Sequence, residues 1–308
     1  MSSIEVRHFR RADREQVTDL VNAHVAAVVP GISVSVNRVI AQLEREPAEF
    51  IVDPWVIERV TLVAERRQEV LAAAHLLRYG AEPPVSESYR DMGEIRWFLC
   101  WPATSYRPDA AEAGEALLAA CLVQFERWGV SRQTADGALP TPGVYGVPAQ
   151  WPHIRSTLER AGFRHEGSVE IILVADLTAF APPGPAPIDG LTLERTLGGN
   201  GTRLSAVLAR EAIGYIEVET LGPRERLPRG GCWADIGNLQ IHERYRRHGL
   251  ATWLLANAAD WLRLAHVYRL LAYAWPEQDD CIRFFEHGGF RELTRRHRGW
   301  IRTLQHGG

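Results

Sequence analysis

Apolar positions recur along this chain in two periods, and the switches between them mark its elements. Period-two alternation and short continuous apolar runs read as strands, and apolar residues three and four apart read as helices. The first half opens with a predicted strand at 4–9 and a helix at 11–27, whose Val17, Leu20, Val21, His24 and Val25 share one face. A second helix at 36–46 ends at Pro47, and strands follow at 56–64 and 70–79 across a turn at 66–69. Next come a strand at 94–100, a strongly apolar helix at 112–128 and a weak strand at 133–139. A helix at 151–161, closed by Gly162-Phe163, and a strand at 168–176 complete the half. The order is β-α-α-β-β-β-α-β-α-β.

The second half has a different opening. Predicted strands at 191–196, 202–209 and 212–220 succeed one another, with Gly198-Gly199-Asn200-Gly201 as the first turn. The two early helices of the first half have no counterpart here. An apolar strand ends at Leu239 and Ile241, and Leu250, Leu254, Leu255, Ala258, Trp261 and Leu262 make one helical face. A strand at 267–275 and a short helix from Cys281, closed by Gly289-Phe290, follow. Between the halves, FAPPGPAPIDG at 180–190 carries prolines at 182, 183, 185 and 187. That spacing excludes regular helix and favours an extended, semi-rigid spacer. The expected division is 1–179, a linker at 180–190, and 191–308.

Composition narrows the classes. A hydrophobic fraction of 46% suits a globular core. No apolar run is long enough to cross a bilayer, and the charged N-terminus lacks the apolar segment of a signal peptide. A cytoplasmic protein with no membrane partner is therefore expected. The net charge of −3 gives no general attraction to nucleic acid. Every basic side chain apart from histidine is arginine, and the basic stretch at 291–298 reads as a solvated strand and turn. Cys100, Cys121, Cys232 and Cys281 are scattered, with no Cys-x-x-Cys pair or Cys/His cluster. Neither a metal site nor a structural disulfide is expected, and the cysteines read as small hydrophobes.

The strongest chemical signal is IGNLQIHERYRRHG at 236–249, running on into LATWLL. It reads as a strand, a tight basic turn and the first turn of a helix. A glycine at such a turn lets backbone N–H groups approach a phosphate, and the helix dipole favours negative charge there. Arg244, Arg246 and Arg247 add positive charge at the same point.

Arg246-x-x-Gly249-x-Ala251 in this setting resembles the acetyl-CoA-binding segment of the GCN5-related N-acetyltransferase (GNAT) superfamily, whose pattern is Arg/Gln-x-x-Gly-x-Gly/Ala. The stretch from Cys281 to Phe290 is similar to that family's closing helix and Gly-Phe turn, in the right order and at the right separation. The resemblance implies an α/β fold with a mixed sheet, and two tandem acyl-CoA N-acyltransferase-like domains forming a pseudo-dimer. In the first half the corresponding turn reads WPATSYRPDA at 101–110, leading into Ala111-Glu112-Ala113-Gly114-Glu115. Two prolines and three carboxylates receive a pyrophosphate poorly, so this half reads as degenerate, shaping the acceptor site. The second half keeps the cofactor turn and lacks the helices that line the family's acceptor side.

The resemblance implies acetyl-CoA as cosubstrate. Leu239, Gln240 and Ile241 would hold the pantetheine arm and the thioester carbonyl through their backbone. Arg246, Arg247, His248, Gly249, Leu250 and Ala251 would hold the pyrophosphate, with Gln278 and Phe285 as further contacts. Asp235 is the candidate general base, with Glu217, Glu219 and His242 as rivals. Residues 235, 237, 239 and 241 are expected to share one strand face. The family's Tyr in Phe-Tyr-Glu-x-x-Gly-Phe is replaced by Phe285, which leaves Tyr273 and Cys281 as candidate acids. His153, at a helix start, and the Pro/Gly-rich loop at 140–146 take structural readings. The implied reaction is direct ternary-complex acetyl transfer to a primary amine of a small molecule. The alternatives are a non-catalytic CoA-binding or regulatory module and, as a minor option, a mycothiol-synthase-like acetyltransferase. A monomer or weak homodimer is expected, since fused halves satisfy each other's sheet edges.

Overall fold

The computed structural model describes residues 3–45, 54–102, 106–140, 144–221 and 232–303. In chain order the first elements are β1 (Glu5–His8), α1 (Arg14–Val28), α2 (Val36–Leu43), β2 (Val56–Arg66), β3 (Glu69–Tyr79), β4 (Met92–Cys100) and α3 (Ala110–Trp128). They continue with β5 (Arg132–Ala135), β6 (Val147–Pro148), α4 (Pro152–Arg160), β7 (Arg164–His165) and β8 (Val169–Asp176). After the proline-rich segment come β9 (Thr192–Gly198), β10 (Gly201–Leu208), β11 (Glu211–Leu221) and β12 (Cys232–Ile241). The chain closes with α5 (Leu250–Leu264), β13 (Val267–Ala274), α6 (Asp279–His287), β14 (Arg291–His297) and β15 (Trp300–Arg302). Local chemistry sets several boundaries. The Ser35 side chain accepts the Arg38 amide to start α2, and Gly129, at φ +65°, ends α3 in the left-handed region. No described helix is long and apolar enough to cross a membrane.

The chain forms two units, Met1–Val169 with Arg296–Gly308, and Glu170–Arg295. The first has the sheet order β1-β2-β3-β4-β5-β15-β7. The second has the order β9-β10-β11-β12-β13-β8-β14, and the short β6 pairs with Arg296 and His297 at the end of β14, within the first unit. The two orders are the same plan written twice, and the sixth place is filled in each by a strand from the other half of the chain. β8 pairs antiparallel with β13 from Arg269↔Asp176 to Ala274↔Ile171. β15 pairs antiparallel with both β5 and β7. The proline-rich linker suggests a cut at 179/180, whereas the units divide at 169/170 and 295/296. The reason is physical: β13 would present an open edge, and the continuously buried β8 covers it.

The second unit's core lies between α5 and one face of its sheet. Leu250, Leu254, Leu255, Ala258 and Leu262 pack with Ile216, Ala234, Ile236, Leu270 and Ala272, and Phe285 and Phe290 extend the cluster. The hairpin of β9 and β10 forms the edge of the same sheet, beside β11. Glu217, buried on β11, accepts from the Gly199 amide at 3.1 Å, the Asn200 side chain at 3.1 Å and Arg203 Nε at 2.8 Å. Burial alone would raise this carboxyl, but those three donors outweigh it and hold it below the ordinary glutamate value. Their stabilisation is therefore complete above the ordinary glutamate pKa and is lost as pH falls through the lowered value. Glu217→Gln is expected to cost about 1–2 kcal/mol at neutral pH. Thermal melts from pH 7 down to pH ~3 check it: the gap between variant and wild type narrows on acidification, and a constant gap would refute the assignment.

Candidate functional site

β12 and β13 run parallel and pair at only four positions, the last being Asp235↔Leu271. Beyond that point β12 stays bonded to β11 as far as Ile241, and β13 stays bonded to β8 as far as Ala274. The two strands part company there. Their facing backbone N–H and C=O groups, from Ile236 and Ala272 onward, have no ladder partner across the gap among the described residues. Asp235 stands at the apex of this notch, and the Tyr273 hydroxyl donates to its Oδ2 at 3.0 Å. A base candidate and an acid candidate, 38 residues apart, are thus joined.

A β-bulge changes which residues face the notch. Val218 pairs with Ile236 and Glu217 with Asn238, so Gly237 is the extra residue on β12. Before the bulge, Ala234 and Ile236 are buried against α5 and Asp235 lies on the opposite face. After it, Leu239 and Ile241 pack against the α5 cluster, and Asn238 donates to the Tyr215 hydroxyl at 2.8 Å. The expectation that 235, 237, 239 and 241 share a face is corrected: one inserted residue inverts a period-two alternation. The glycine is required by space, because a Cβ there would meet the Asn200 Cβ at 2.4 Å.

The basic turn follows β12. Residues Glu243–Tyr245 form one 3-10 turn, Arg247 has φ +66°, and Gly249 caps α5 at φ +78°. No side chain caps this helix, and its first amides have no intrahelical acceptor. Arg246 donates through Nε to the Ile241 carbonyl at 3.3 Å, and Arg246 and Arg247 reach loose ion pairs, 3.8 Å to Glu243 and 3.7 Å to Asp280, with both side chains well exposed. His248 contacts the Arg246 carbonyl at 2.7 Å. Leu250 is buried in the core, with Ala251 half-buried beside it. Open amides and exposed guanidinium groups around one helix N-terminus suit an anion.

The remaining candidates separate. Gln240 is exposed beyond the apex. His242 lies past the end of β12, its amide bonded to the Ile213 carbonyl and its exposed ring 6.1 Å from Tyr245. Gln278 accepts the Trp275 amide at 3.0 Å and closes the turn into α6. Phe285 is core, packed between Phe284 and Phe290. Cys281 is a free, half-buried thiol whose pKa burial raises. Glu217 is committed to the hairpin, and Glu219 pairs across from Asp235 on an exposed position.

Residues 172–290 match the model of the acetyltransferase (GNAT) family. A tandem GNAT protein from the clavulanic acid biosynthesis pathway superposes on 99% of this chain and 100% of its own, with a TM-score of 0.67 at 16% identity. Residues 172–290 thus match the GNAT family, and the chain as a whole has a tandem GNAT-like fold. A GNAT-related glucosamine N-acetyltransferase region of a fungal β-N-acetylglucosaminidase superposes on 97% of this chain and 38% of its own, with a TM-score of 0.62 at 15% identity. A GCN5-related N-acetyltransferase from Sphaerobacter thermophilus superposes on 97% of this chain and 94% of its own, with a TM-score of 0.57 at 14% identity. At these identities the likeness speaks for the fold. No curated protein matches the sequence.

The first unit repeats the plan without the notch. β4 and β5 pair through Ile95↔Ala135, and the chain then stays bonded to β4 through Asp136 N–H to the Ile95 carbonyl and Ala138 N–H to the Arg96 carbonyl. Trp151, Val147 and Phe98 pack around that seam, leaving a void of about 10 Å³. β4 carries the same bulge, with Arg96 as the extra residue. Glu94 therefore occupies the place of Asp235. It is buried, held by Arg96 and Tyr79, with its carboxyl raised by burial. His153 bonds the Cys100 carbonyl at 3.0 Å and meets His24, which burial lowers to about 4. Residues 103–105 of the altered turn and 141–143 of the Pro/Gly loop lie outside the described residues.

Proposed function

We propose that the second unit binds acetyl-CoA and transfers its acetyl group to a primary amine of a small molecule. One observation carries this reading. The notch between β12 and β13 opens beside an uncapped helix N-terminus ringed by arginines, and a carboxylate stands at its apex. The α5 amides and Arg246 suit a pyrophosphate, and the unpaired edge of β12 suits the amide-bearing pantetheine arm. The fit is to the whole ligand, since its peptide-like arm needs an open strand edge and its diphosphate needs a cationic end.

The chemistry then runs in one complex. The neutral amine attacks the thioester carbonyl, forming the C–N bond, while a backbone N–H of β12 holds the developing oxyanion, worth about 3–4 kcal/mol. The C–S bond breaks, CoA leaves as its thiolate, and the ammonium proton passes to Asp235. The Tyr273 hydroxyl donates a hydrogen bond to Asp235, which supports a role in positioning the carboxylate over the alternative role of acid toward sulfur. Steady-state assays with a panel of small amines test the reading, following free thiol released from acetyl-CoA and N-acetyl product together. Equal release of both supports transfer. Phe285, a core residue where the family places a phenol, favours the second reading of a CoA-binding module, and tight binding without any product would select it.

A further inference from the structure

Helix α2 of the first unit carries two stripes. Val39 and Leu43, one turn apart, are buried. Arg38, Ala41, Gln42 and Arg45, spaced i, i+3, i+4 and i+7, make the second stripe. That stripe forms one wall of a cavity of about 330 Å³, and Leu139, Pro140 and Tyr145 form the other. The walls are held by their own bonds. Arg38 Nε donates to the Pro140 carbonyl at 2.9 Å. Gln42 donates to the Ala138 carbonyl at 3.2 Å and accepts from the Trp97 indole at 2.9 Å. The buried Arg296 sets its guanidinium 4.9 Å from the centre of the Tyr145 ring. With Nε engaged, the terminal nitrogens of Arg38 have no partner among the described residues, and they keep the planar fork that fits an oxyanion. No carboxylate lines the cavity among the described residues. Glu44 on the same helix is taken by Arg11 at 2.8 Å, and Asp136 faces Arg298 at 3.6 Å.

We propose that this cavity is a ligand site of the first unit for a small organic anion, a carboxylate or phosphate monoester carried on a flat apolar body. The oxyanion meets the Arg38 fork, and the positive charge of Arg45, two turns along α2, adds to the field there. The body lies against the Tyr145 ring, Pro140 and Leu139. The volume is at the lower end of small-molecule sites, which limits the ligand to a single ring or its equivalent. Gln42 and Arg38 are already fixed by backbone and indole partners, so the charged wall is formed before a ligand arrives. The first unit, whose strands leave no notch, is on this reading a binding module with a ligand of its own. The inference does not rest on acetyl transfer, which uses residues of the second unit.

Ligand-observed saturation-transfer NMR titrations of the full chain decide the matter with three probes: benzoate, phenyl phosphate and benzamide, the neutral counterpart of benzoate. Arg38→Gln removes the fork. Ala41 is exposed, so Ala41→Glu sets a carboxylate between Arg38 and Arg45 without touching the core. Gly249→Glu guards against binding at the arginine-ringed turn of the second unit. At least one of the two anions is expected to bind, with benzamide weaker by about tenfold or more, and the stronger anion tells carboxylate from phosphate. Arg38→Gln and Ala41→Glu are each expected to weaken that anion by about tenfold or more, while Gly249→Glu leaves it within about twofold. Thermal melts show which variants are folded, and Ala41→Glu decides alone if Arg38→Gln is not. A folded Arg38→Gln or Ala41→Glu that binds within about twofold of wild type overturns the proposal. So do benzamide binding as tight as the anion, loss that follows Gly249→Glu instead, and no binding of either anion up to about 10 mM.

Discussion

Gly249→Glu removes acetyl-CoA binding, lowering the affinity by a factor on the order of 10² or more. Two effects act together. Gly249 caps α5 at φ +78°, where a residue with a Cβ is strained by about 1 kcal/mol or more. The larger effect is electrostatic, because a carboxylate would sit at the uncapped helix N-terminus that otherwise attracts an anion. Titration calorimetry measures the loss, and a thermal melt separates it from unfolding. Gly249→Asn is the control, since Asn tolerates the left-handed region and adds no charge. If Gly249→Glu binds acetyl-CoA within about twofold of wild type, the phosphate site lies elsewhere.

Asp235→Asn lowers kcat by roughly 10²–10⁴ and leaves acetyl-CoA affinity within about twofold. Asn keeps the size of the side chain and still accepts from the Tyr273 hydroxyl, so the notch keeps its shape while the proton acceptor is gone. The separation of kcat from binding is the diagnostic, because a structural role would move both. Tyr273→Phe lowers kcat by less, about tenfold, since it only releases the carboxylate from its 3.0 Å partner. Unchanged turnover in Asp235→Asn would transfer the base role to another group, with Glu219, across the ladder from Asp235, next in line.

Elements and their order were legible because each rests on local signals. The 3.6-residue period of α5 and the short apolar runs of β10 and β11 require no knowledge of their partners. The absence of early helices in the second half was equally legible, and β9 does turn directly into β10 through Gly198–Gly201. The Gly249 turn was visible because a helix N-terminus preceded by glycine and arginine is a local arrangement.

Longer-range placements were not written in any single stretch. A strand with a continuous apolar run such as β8 suits either sheet, so its period could not say that it pairs with β13. The bulge at Gly237 leaves no trace in an apolar count, yet it decides that Asp235 and Leu239 face opposite ways. Glu94 and Asp235 occupy one place in two copies of a plan, and only packing tells a buried, paired carboxyl from one at the apex of an open notch. The linker's prolines announce an extended segment, but its course along α5 depends on Arg263 and Gly249 at the two ends of a helix far along the chain. The sequence by itself determined the periods, the caps and the cationic turn, each a property of neighbours within a few residues. Tertiary structure alone decided which edge each strand covers, which face each carboxylate takes and what course the linker follows, because those are contests between surfaces that distant segments bring together.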